Sequence, residues 1–225
     1  MEITYYSNGQ MKSKKYKVGN FYHKLDGPAI QEWNKQGQLI EEKYFISGAL
    51  HRVNGPALIK WNDKGNVIEK HWYLAYARHR INKPAMIKWN DNGKIIEEKW
   101  CYLGLIHNLD KPATTKWNDA GKIIEQGWYL YSHSHKKNAP SWKKWNDQGQ
   151  LIEERWFYLT HIHRENGPAM TKWNDKGQII EEVWYNFDLE HRENGPAIQR
   201  WDDNGKLIES VYLLNGLPPN SETNN

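Results

Sequence analysis

Hydrophobic and polar residues alternate over short segments of the chain, and turn-forming residues separate the segments. Residues 56–81, PALIKWNDKGNVIEKHWYLAYARHRI, show this pattern clearly. Asn62, Asp63 and Gly65 form a cluster typical of a hairpin turn, in which the glycine takes the left-handed conformation. The flanking residues 57–61 and 67–74 have the length and the β-branched and aromatic content that favour strands. The pattern therefore predicts one antiparallel hairpin, followed by a connection that returns the chain at residues 77–84.

The same pattern recurs at a fixed interval of 28 residues. Tryptophans keep this interval without an insertion from Trp33 to Trp201, and rows of histidine, proline and glycine with the same interval begin at His23, Pro28 and Gly37. Self-similarity at such a period is typical of a repeat array. We therefore expect an all-β protein in which seven 28-residue β-hairpin repeats form an elongated, single-layered or coiled antiparallel sheet with capping partial repeats.

The predicted array divides the chain into three parts. Residues 1–22 carry Tyr5 and Gly9 in the tryptophan and glycine phases, and we expect them to form an N-terminal partial, capping repeat. Residues 23–218 hold the seven 28-residue hairpin repeats. Residues 219–225 are polar and are expected to form a disordered tail.

The hairpin pattern also predicts which side chains face each other. If the bulge lies at Gly65, Lys60 lies opposite Ile68. The second residue of a glutamate doublet then faces the lysine of its own hairpin, as Glu98 would face Lys88. Because adjacent strand residues point to opposite faces, we do not expect the doublets to act as paired catalytic acids.

Composition restricts the class of protein and its compartment. Only 38% of the residues are hydrophobic, yet the chain has 13 Trp and 13 Tyr, so aromatic rings must supply much of the buried surface. Cys101 is the single cysteine, which favours a reducing environment and a small-hydrophobe role over a disulfide. The N-terminus has no apolar run and no stretch is long enough for a membrane span. We expect a soluble, cytoplasmic protein that does not bind membranes.

The histidine row is the most conspicuous candidate for chemistry. Each of these histidines sits in the same tight loop, where an imidazole can hydrogen-bond the backbone, and we favour this structural role. Two His-x-His pairs on adjacent copies are the alternative, a transition-metal site, but no Cys, Asp or Glu completes the ligand set. An active site needs different residues that converge, whereas a repeat offers the same residues along a line. We expect no enzymatic activity, no metal and no cofactor. The paired histidines are His133, His135, His161 and His163.

The run from Tyr44 to Ala57, YFISGALHRVNGPA, resembles the MORN class of repeat, in which a Tyr or Trp, a turn glycine and a His-Gly follow one another. The YwqK-like antitoxin-type hairpin arrays, also MORN-related, resemble residues 5–216 in hairpin rhythm. This chain departs from the class in its longer period and in the Arg or Lys that follows most of the histidines. The resemblance implies a hairpin array that binds a partner, of the antitoxin, immunity or inhibitor kind. The turn glycine occurs only at Gly48, Gly104 and Gly216.

The central copies depart from the consensus, and departures point to function because the consensus specifies the scaffold. The loop NGPA is replaced at residues 82–85, 110–113 and 138–141, and Trp142 has no counterpart in the other copies. Residues 51–162 hold 18 Lys or Arg against 11 Asp or Glu, whereas residues 163–225 hold 6 against 11. We therefore predict a partner-binding surface on the central copies that consists of Lys83, Lys111, Tyr131, His133, Lys136, Lys137, Trp142, Lys143 and Lys144.

Basic and aromatic residues together suit more than one partner class. An acidic protein surface would meet Trp, Tyr and basic side chains, which are common interface anchors. RNA or single-stranded DNA would use stacking and phosphate contacts, and a carbohydrate would use exposed Trp and Tyr. Rows of Asp and Glu run through the same modules and would repel phosphates. We therefore expect a protein partner with an acidic surface, and nucleic acid or carbohydrate binding is the alternative.

Overall fold

The chain is all-β in the computed structural model, which describes residues 1–219. These residues contain strands and turns but no helix, and none of them belongs to a helix long and apolar enough to cross a membrane. The predicted fold class is confirmed. The predicted disordered tail, residues 219–225, lies outside the described residues except for its first position.

The longer strands build the sheet. Within residues 1–219, sixteen strands of four or five residues follow one another in chain order in an antiparallel sheet of consecutive hairpins. Numbered along the chain together with the shorter strands, they are β1 (Glu2–Tyr5), β2 (Met11–Lys15), β5 (Ile30–Trp33), β6 (Leu39–Lys43), β9 (Leu58–Trp61), β10 (Val67–His71), β13 (Met86–Trp89), β14 (Ile95–Lys99), β17 (Thr114–Trp117), β18 (Ile123–Gly127), β21 (Trp142–Trp145), β22 (Leu151–Arg155), β25 (Met170–Trp173), β26 (Ile179–Val183), β29 (Ile198–Trp201) and β30 (Leu207–Val211).

A second, short hairpin follows each of the first seven long hairpins, and the sequence did not predict it. The predicted strand over residues 67–74 is interrupted at Trp72, whose N–H donates to Ala85 O and whose carbonyl accepts from His79 N. Ala75 and Tyr76 then turn the chain with φ values of 43° and 69°. Within residues 1–219 the two-residue strands of these hairpins are β3 (Lys17–Val18), β4 (Phe21–Tyr22), β7 (Phe45–Ile46), β8 (Ala49–Leu50), β11 (Tyr73–Leu74), β12 (Ala77–Arg78), β15 (Cys101–Tyr102), β16 (Leu105–Ile106), β19 (Tyr129–Leu130), β20 (His133–Ser134), β23 (Phe157–Tyr158), β24 (His161–Ile162), β27 (Tyr185–Asn186) and β28 (Leu189–Glu190).

The strands belong to two compact units. Unit 1 comprises residues 1–107 and 119–121 and contains β1 to β16. Unit 2 comprises residues 108–118 and continues from residue 122, and it contains β17 to β30. Both units use the same module, a long hairpin followed by a short one.

The turn of the long hairpin forms where the sequence predicts it, but the bulge lies elsewhere. Asn62 Oδ1 accepts hydrogen bonds from the backbone N–H groups of Lys64 and Asn66, both at 3.0 Å. Gly65 has a φ of 79°, a conformation that is costly for any residue with a side chain. The ladder then skips Ile68, so Lys60 lies opposite Glu69. The predicted pairing of Lys60 with Ile68 is wrong because the extra residue follows the turn and does not lie within it.

The same shift corrects the prediction for the glutamate doublets. Lys88 lies opposite Glu97, the first glutamate, and its Nζ is 3.4 Å from the Glu97 carboxylate. Glu98 lies opposite Ile87 on the other face. The first glutamates and the lysines thus form a row of cross-strand ion pairs, which we call the charge ladder. Its cations with an ion pair to a ladder glutamate include Lys60, Lys88, Lys116, Lys172 and Arg200.

A row of small residues is the most deeply buried part of both units. Ala57 has no exposed surface, its N–H donates to His71 O, and its carbonyl accepts from Tyr44 N. Backbone on both sides therefore fixes the space that its side chain can occupy. Ser141 takes this position in one copy, where its hydroxyl contacts the Ser134 hydroxyl at 3.1 Å. The other fully buried members of the row are Ala29, Ala85, Ala113, Ala169 and Ala197.

The histidine row links consecutive modules. His51 Nδ1 accepts a hydrogen bond from the backbone N–H of Ala75, at 3.3 Å, in the short-hairpin turn of the next module. In the same turn the N–H of Tyr76 donates to Leu50 O. The predicted structural hydrogen bond to the backbone is confirmed, although the partner is the next module's turn and not the histidine's own loop. The histidines with this bond include His23, His51, His79 and His191.

The adjacent residues Glu181 and Glu182 have opposite electrostatic environments. Glu181 lies between Lys172 Nζ and Arg200 Nε, each 2.7 Å from its carboxylate. Burial raises the pKa of Glu181, but the hydrogen bonds and charges of these two cations lower it by more, and the net pKa lies below its ordinary value. Burial raises the pKa of Glu182 above its ordinary value, and the charges of Arg192 and Arg164 offset only part of that rise.

These shifts predict stability changes of opposite sign. The Glu181 contribution is present above its unfolded pKa and is lost as the pH falls through the lower folded value, whereas the charge on Glu182 costs stability above its raised folded pKa. At about pH 7, Glu181→Gln should lower the free energy of unfolding by about 1 kcal/mol, and Glu182→Gln should raise it. Each effect should fade as the pH falls through the folded pKa of the carboxyl concerned, that of Glu182 at the higher pH, because the group is then protonated in both states. Urea unfolding over a series of acidic to neutral pH values measures this, and changes of equal sign at neutral pH would contradict it.

Candidate partner-binding surface

The return loop of the consensus module is built around an arginine stacked on an aromatic ring. The Arg164 guanidinium lies 3.9 Å from the centre of the Trp156 ring, and its Nη1 donates to Pro168 O at 3.1 Å. A Cβ on Gly167 would lie 3.0 Å from this guanidinium, which explains the glycine of the NGPA loop. The consensus loop therefore serves the scaffold, because the arginine is occupied by contacts within its own module.

The fifth copy replaces this loop, and we call residues 131–145 the fifth-copy segment. Lys136 takes the place of the arginine and lies 3.7 Å from the centre of the Trp128 ring. Ala139 occupies the glycine position, and Asn138 takes the positive φ instead, at 56°. Burial lowers the pKa of the Lys136 ammonium, and the positive charge of Lys143 lowers it further. Two lysines thus lie close enough to repel each other in this segment.

Strand alternation separates two of the predicted site residues. Lys143 and Lys144 are neighbours in β21 and therefore point to opposite faces of the sheet. Lys144 is in register with Glu125 and Glu153, the positions of the charge ladder. These glutamates pair instead with two other cations, Lys116 at 2.9 Å and Arg155 at 2.6 Å. Lys144 is exposed and has no carboxylate within ion-pair distance among residues 1–219.

Trp142 occupies a position that is buried in equivalent modules, where Met86 and Met170 are 3% and 8% exposed. It is only half-buried and lies opposite Gly127. The guanidinium of Arg155 lies 5.1 Å from the centre of its ring. Part of the Trp142 side chain therefore packs within unit 2, and the rest is exposed to solvent. Its role as an anchor for a partner stays a prediction.

The remaining predicted residues lie on loops and turns. Tyr131 is in the turn of the short hairpin β19–β20 with a φ of 49° and is 48% exposed. His133 and Lys137 are exposed in the same segment, and Lys111 is exposed in an earlier loop of unit 2. Lys83 is exposed in unit 1. Seven of the nine predicted residues therefore lie in one segment of unit 2, divided between its loops and the two faces of β21.

Two clefts separate consecutive return loops in unit 2. One, of about 390 Å³, is lined by Lys136, Trp156, Tyr158 and His163 among others. The second, of about 600 Å³, is lined by residues that include equivalents one period later, such as Arg164 and Trp184. These clefts repeat the same chemistry, as expected for a module. Sequence reasoning missed them, although a cation eight residues after an aromatic recurs in every copy except the one at Trp100.

The histidines of the metal hypothesis do not converge. His161 Nδ1 contacts Asp188 Oδ2 at 2.5 Å, and Asp188 Oδ1 accepts from the Ile162 N–H. The His163 ring stacks on Phe187 with centroids 4.4 Å apart. Among residues 1–219, no group of three or more His, Cys, Asp or Glu side chains is placed to hold a metal ion. The contacts of His161 and His163 are therefore structural ones, to the next short hairpin.

Comparison with known proteins assigns no family to the chain. No known family matches the chain, and no curated protein matches it. Among solved structures, the chain is similar to the crystal structure of TcdB2-TccC3, with 11% identity and a TM-score of 0.21 over 92% of this chain and 12% of that one. A second, TcdB2-TccC3-TEV, has 11% identity and a TM-score of 0.21 over 93% of this chain and 15% of that one. The chain thus spans less than a sixth of either structure.

Proposed function

We propose that this chain is a non-enzymatic scaffold that binds an acidic protein surface through the fifth-copy segment. The observation that carries the proposal is the set of cations left without carboxylate partners there. Lys137, Lys143 and Lys144 make no ion pair among residues 1–219, whereas Lys60 and Lys172, the equivalents of Lys144 in other modules, do. Cations kept apart from the internal carboxylates remain available to an acidic partner.

The neighbourhood of these lysines supports the same proposal. Lys143 raises the cost of charging Lys136, as the lowered pKa of Lys136 indicates. A folded chain gains nothing from such repulsion, but a negatively charged partner relieves it. Tyr131 and Trp142 add large side chains of the kind that anchors protein interfaces. We further propose that the protein acts in the cytoplasm and that its role is MORN-related, of the antitoxin, immunity or inhibitor kind.

Charge reversal in the fifth-copy segment tests the proposal. Replacing Lys137, Lys143 and Lys144 by Glu should weaken the complex with a protein partner captured from the native host by about tenfold or more. The melting temperature should fall only modestly, because surface charges contribute about 0 to 1 kcal/mol each, and most of the fall should come from Lys144→Glu, which places a carboxylate between Glu125 and Glu153. Isothermal titration calorimetry and thermal melting measure the two quantities.

Single variants locate the face that is used. Lys143→Glu and Lys144→Glu change neighbouring residues by the same charge on opposite faces, so each serves as the matched control for the other. A Lys176→Glu variant, in an exposed hairpin turn of unit 2, controls for net charge. If all variants bind the partner as the parent does, the proposal is wrong. Strongly salt-dependent binding of RNA or single-stranded DNA would favour the nucleic-acid alternative, and salt-resistant glycan binding the carbohydrate one.

A further inference from the structure

The face that carries the tryptophans of the long hairpins contains an internal cation–aromatic contact. Lys70 Nζ lies 5.7 Å from the centre of the Trp89 ring. Lys70 is in β10 and Trp89 ends β13, the strand that pairs with β10 in unit 1. The side chain 19 residues before a hairpin tryptophan therefore reaches the ring of the following module. An ammonium over a tryptophan face is favourable because the ring quadrupole attracts the charge.

At the equivalent position Glu182 of unit 2 carries the opposite charge, as do Glu42, Glu98 and Glu154 in their own modules. Glu182 precedes Trp201 by the same interval, and both residues line a cavity of about 350 Å³. Gln178, Ile179 and Gly205 complete the lining. Ile179 is 38% exposed, so an apolar wall is open to solvent beside the ring. The cavity therefore combines a tryptophan ring, a carboxylate and an aliphatic surface, without the cation that Lys70 supplies in its own module.

The Glu182 carboxylate has no hydrogen-bond or ion-pair partner among residues 1–219. Its neighbours in register are Thr171 and Gln199. Arg164 and Arg192 act on it through their charges, but both are stacked on tryptophan rings and donate to proline carbonyls. Burial raises the pKa of Glu182, which agrees with a carboxylate that is desolvated without full compensation.

We propose that the cavity at Glu182 and Trp201 binds the side chain of a lysine or arginine from a basic peptide segment of a partner protein. The cationic head would lie between the carboxylate and the ring, and the aliphatic stem would pack on Ile179. Residues 163–225 hold 6 Lys or Arg against 11 Asp or Glu, so the surrounding charge attracts a basic segment. The stem favours these two side chains over a compact cation, which would leave the apolar wall uncovered.

The cavity at Glu182 and Trp201 lies in different repeats from the fifth-copy segment, and its charge has the opposite sign. The fifth-copy segment attracts acidic partners, whereas this cavity accepts a basic group. The two proposals can therefore be tested independently. Charge reversal of Lys137, Lys143 and Lys144 leaves the cavity unchanged, and changes at Glu182 leave those lysines unchanged.

Fluorescence polarisation with a labelled peptide tests the inference. The probe is a fluorescein-labelled Gly-Arg-Gly-Arg-Gly amide, and the matched probe carries Gln in place of each Arg. The parent chain should bind the arginine peptide about tenfold more tightly than the glutamine peptide, and Glu182→Gln should remove most of that preference. Asp26→Asn makes the same change in net charge at an exposed residue of unit 1 and should leave the affinity within about twofold.

A second variant occupies the cavity from within. Glu182→Lys recreates the contact of Lys70 with Trp89 and should abolish binding of the arginine peptide, while circular dichroism shows that the β structure is kept. Equal affinity of the parent and Glu182→Gln for the peptide would overturn the inference. Equal weakening by Asp26→Asn and Glu182→Gln would also overturn it, because the peptide would then respond to net charge alone. Undetectable binding of the arginine peptide to the parent would have the same consequence.

Discussion

Excision of residues 57–84 should leave a soluble, β-rich protein that still unfolds cooperatively. The deletion joins Pro56 to Ala85, which has the same position in its module as Ala57. Strand β6 then meets β13 in the register that it now has with β9, since Glu41 faces Lys60 and Glu69 faces Lys88 in equivalent pairs. The stability of a repeat array is approximately a sum over its modules and their interfaces. The loss of stability should therefore be limited to the contribution of one module.

Excision of only residues 57–70 should unfold unit 1. This deletion removes β9 and leaves only His71 of β10, so the strands that follow would enter the sheet with reversed direction and with exchanged faces. The residues of the alanine row and the charge ladder could then no longer meet their partners. Far-UV circular dichroism and urea unfolding compare the two deletions. Equal tolerance of both would contradict the module that the structure shows.

The long hairpins could be predicted because local chemistry determines them. The Asn-Asp-x-Gly turn and the tryptophan interval gave the correct fold class and repeat length. The bulge could not be located in this way, because displacement of Ile68 depends on how the five-residue turn closes, with Asn62 N donating to Asn66 O. Since side chains alternate along a strand, an error of one residue exchanged the roles of Glu97 and Glu98.

Four of the seven short hairpins lack the glycine that usually reveals a tight turn, and only those at Gly19, Gly48 and Gly104 have one. Ala75, Tyr76 and Phe187 all adopt positive φ, a conformation that costs about 1 to 2 kcal/mol for residues other than glycine. Links to neighbouring modules hold these turns in place, such as the bond from Ala75 N to His51 Nδ1. Tertiary contacts therefore override local propensity in these turns. The sequence of a single module does not predict them, because the residues that hold each turn belong to its neighbour.

The candidate site was predictable in part. The departure of the fifth copy from the consensus was visible in the sequence, and so was the opposite facing of Lys143 and Lys144, which follows from the alternation rule applied to the glutamate doublets. The stacking of Lys136 on Trp128 could have been found from the repeated interval between aromatic and cation. Which lysines lack carboxylate partners depends on competition for Glu153 and Glu125, and that required side-chain positions.

Replacement of Ala169 by Leu should lower the free energy of unfolding of unit 2 by about 3 kcal/mol. Ala169 has no exposed surface, and its backbone is held on both sides, since Ala169 N donates to Val183 O and Trp156 N donates to Ala169 O. The strands cannot separate to admit a larger side chain without breaking these bonds. A loss of this size is a large part of the roughly 5 to 15 kcal/mol that stabilises a typical domain.

Two further variants distinguish overpacking from other causes. Asn166→Leu adds a similar side chain at an exposed position of the same return loop and should change stability by no more than about 0.5 kcal/mol. Ala169→Gly removes one methyl group without crowding and should cost about 1 kcal/mol, through lost burial and greater freedom of the unfolded chain. Urea unfolding monitored by tryptophan fluorescence gives all three values. If Ala169→Leu is as stable as the parent, the row leaves room for a larger side chain, and the close approach of strands that we assign to it does not exist.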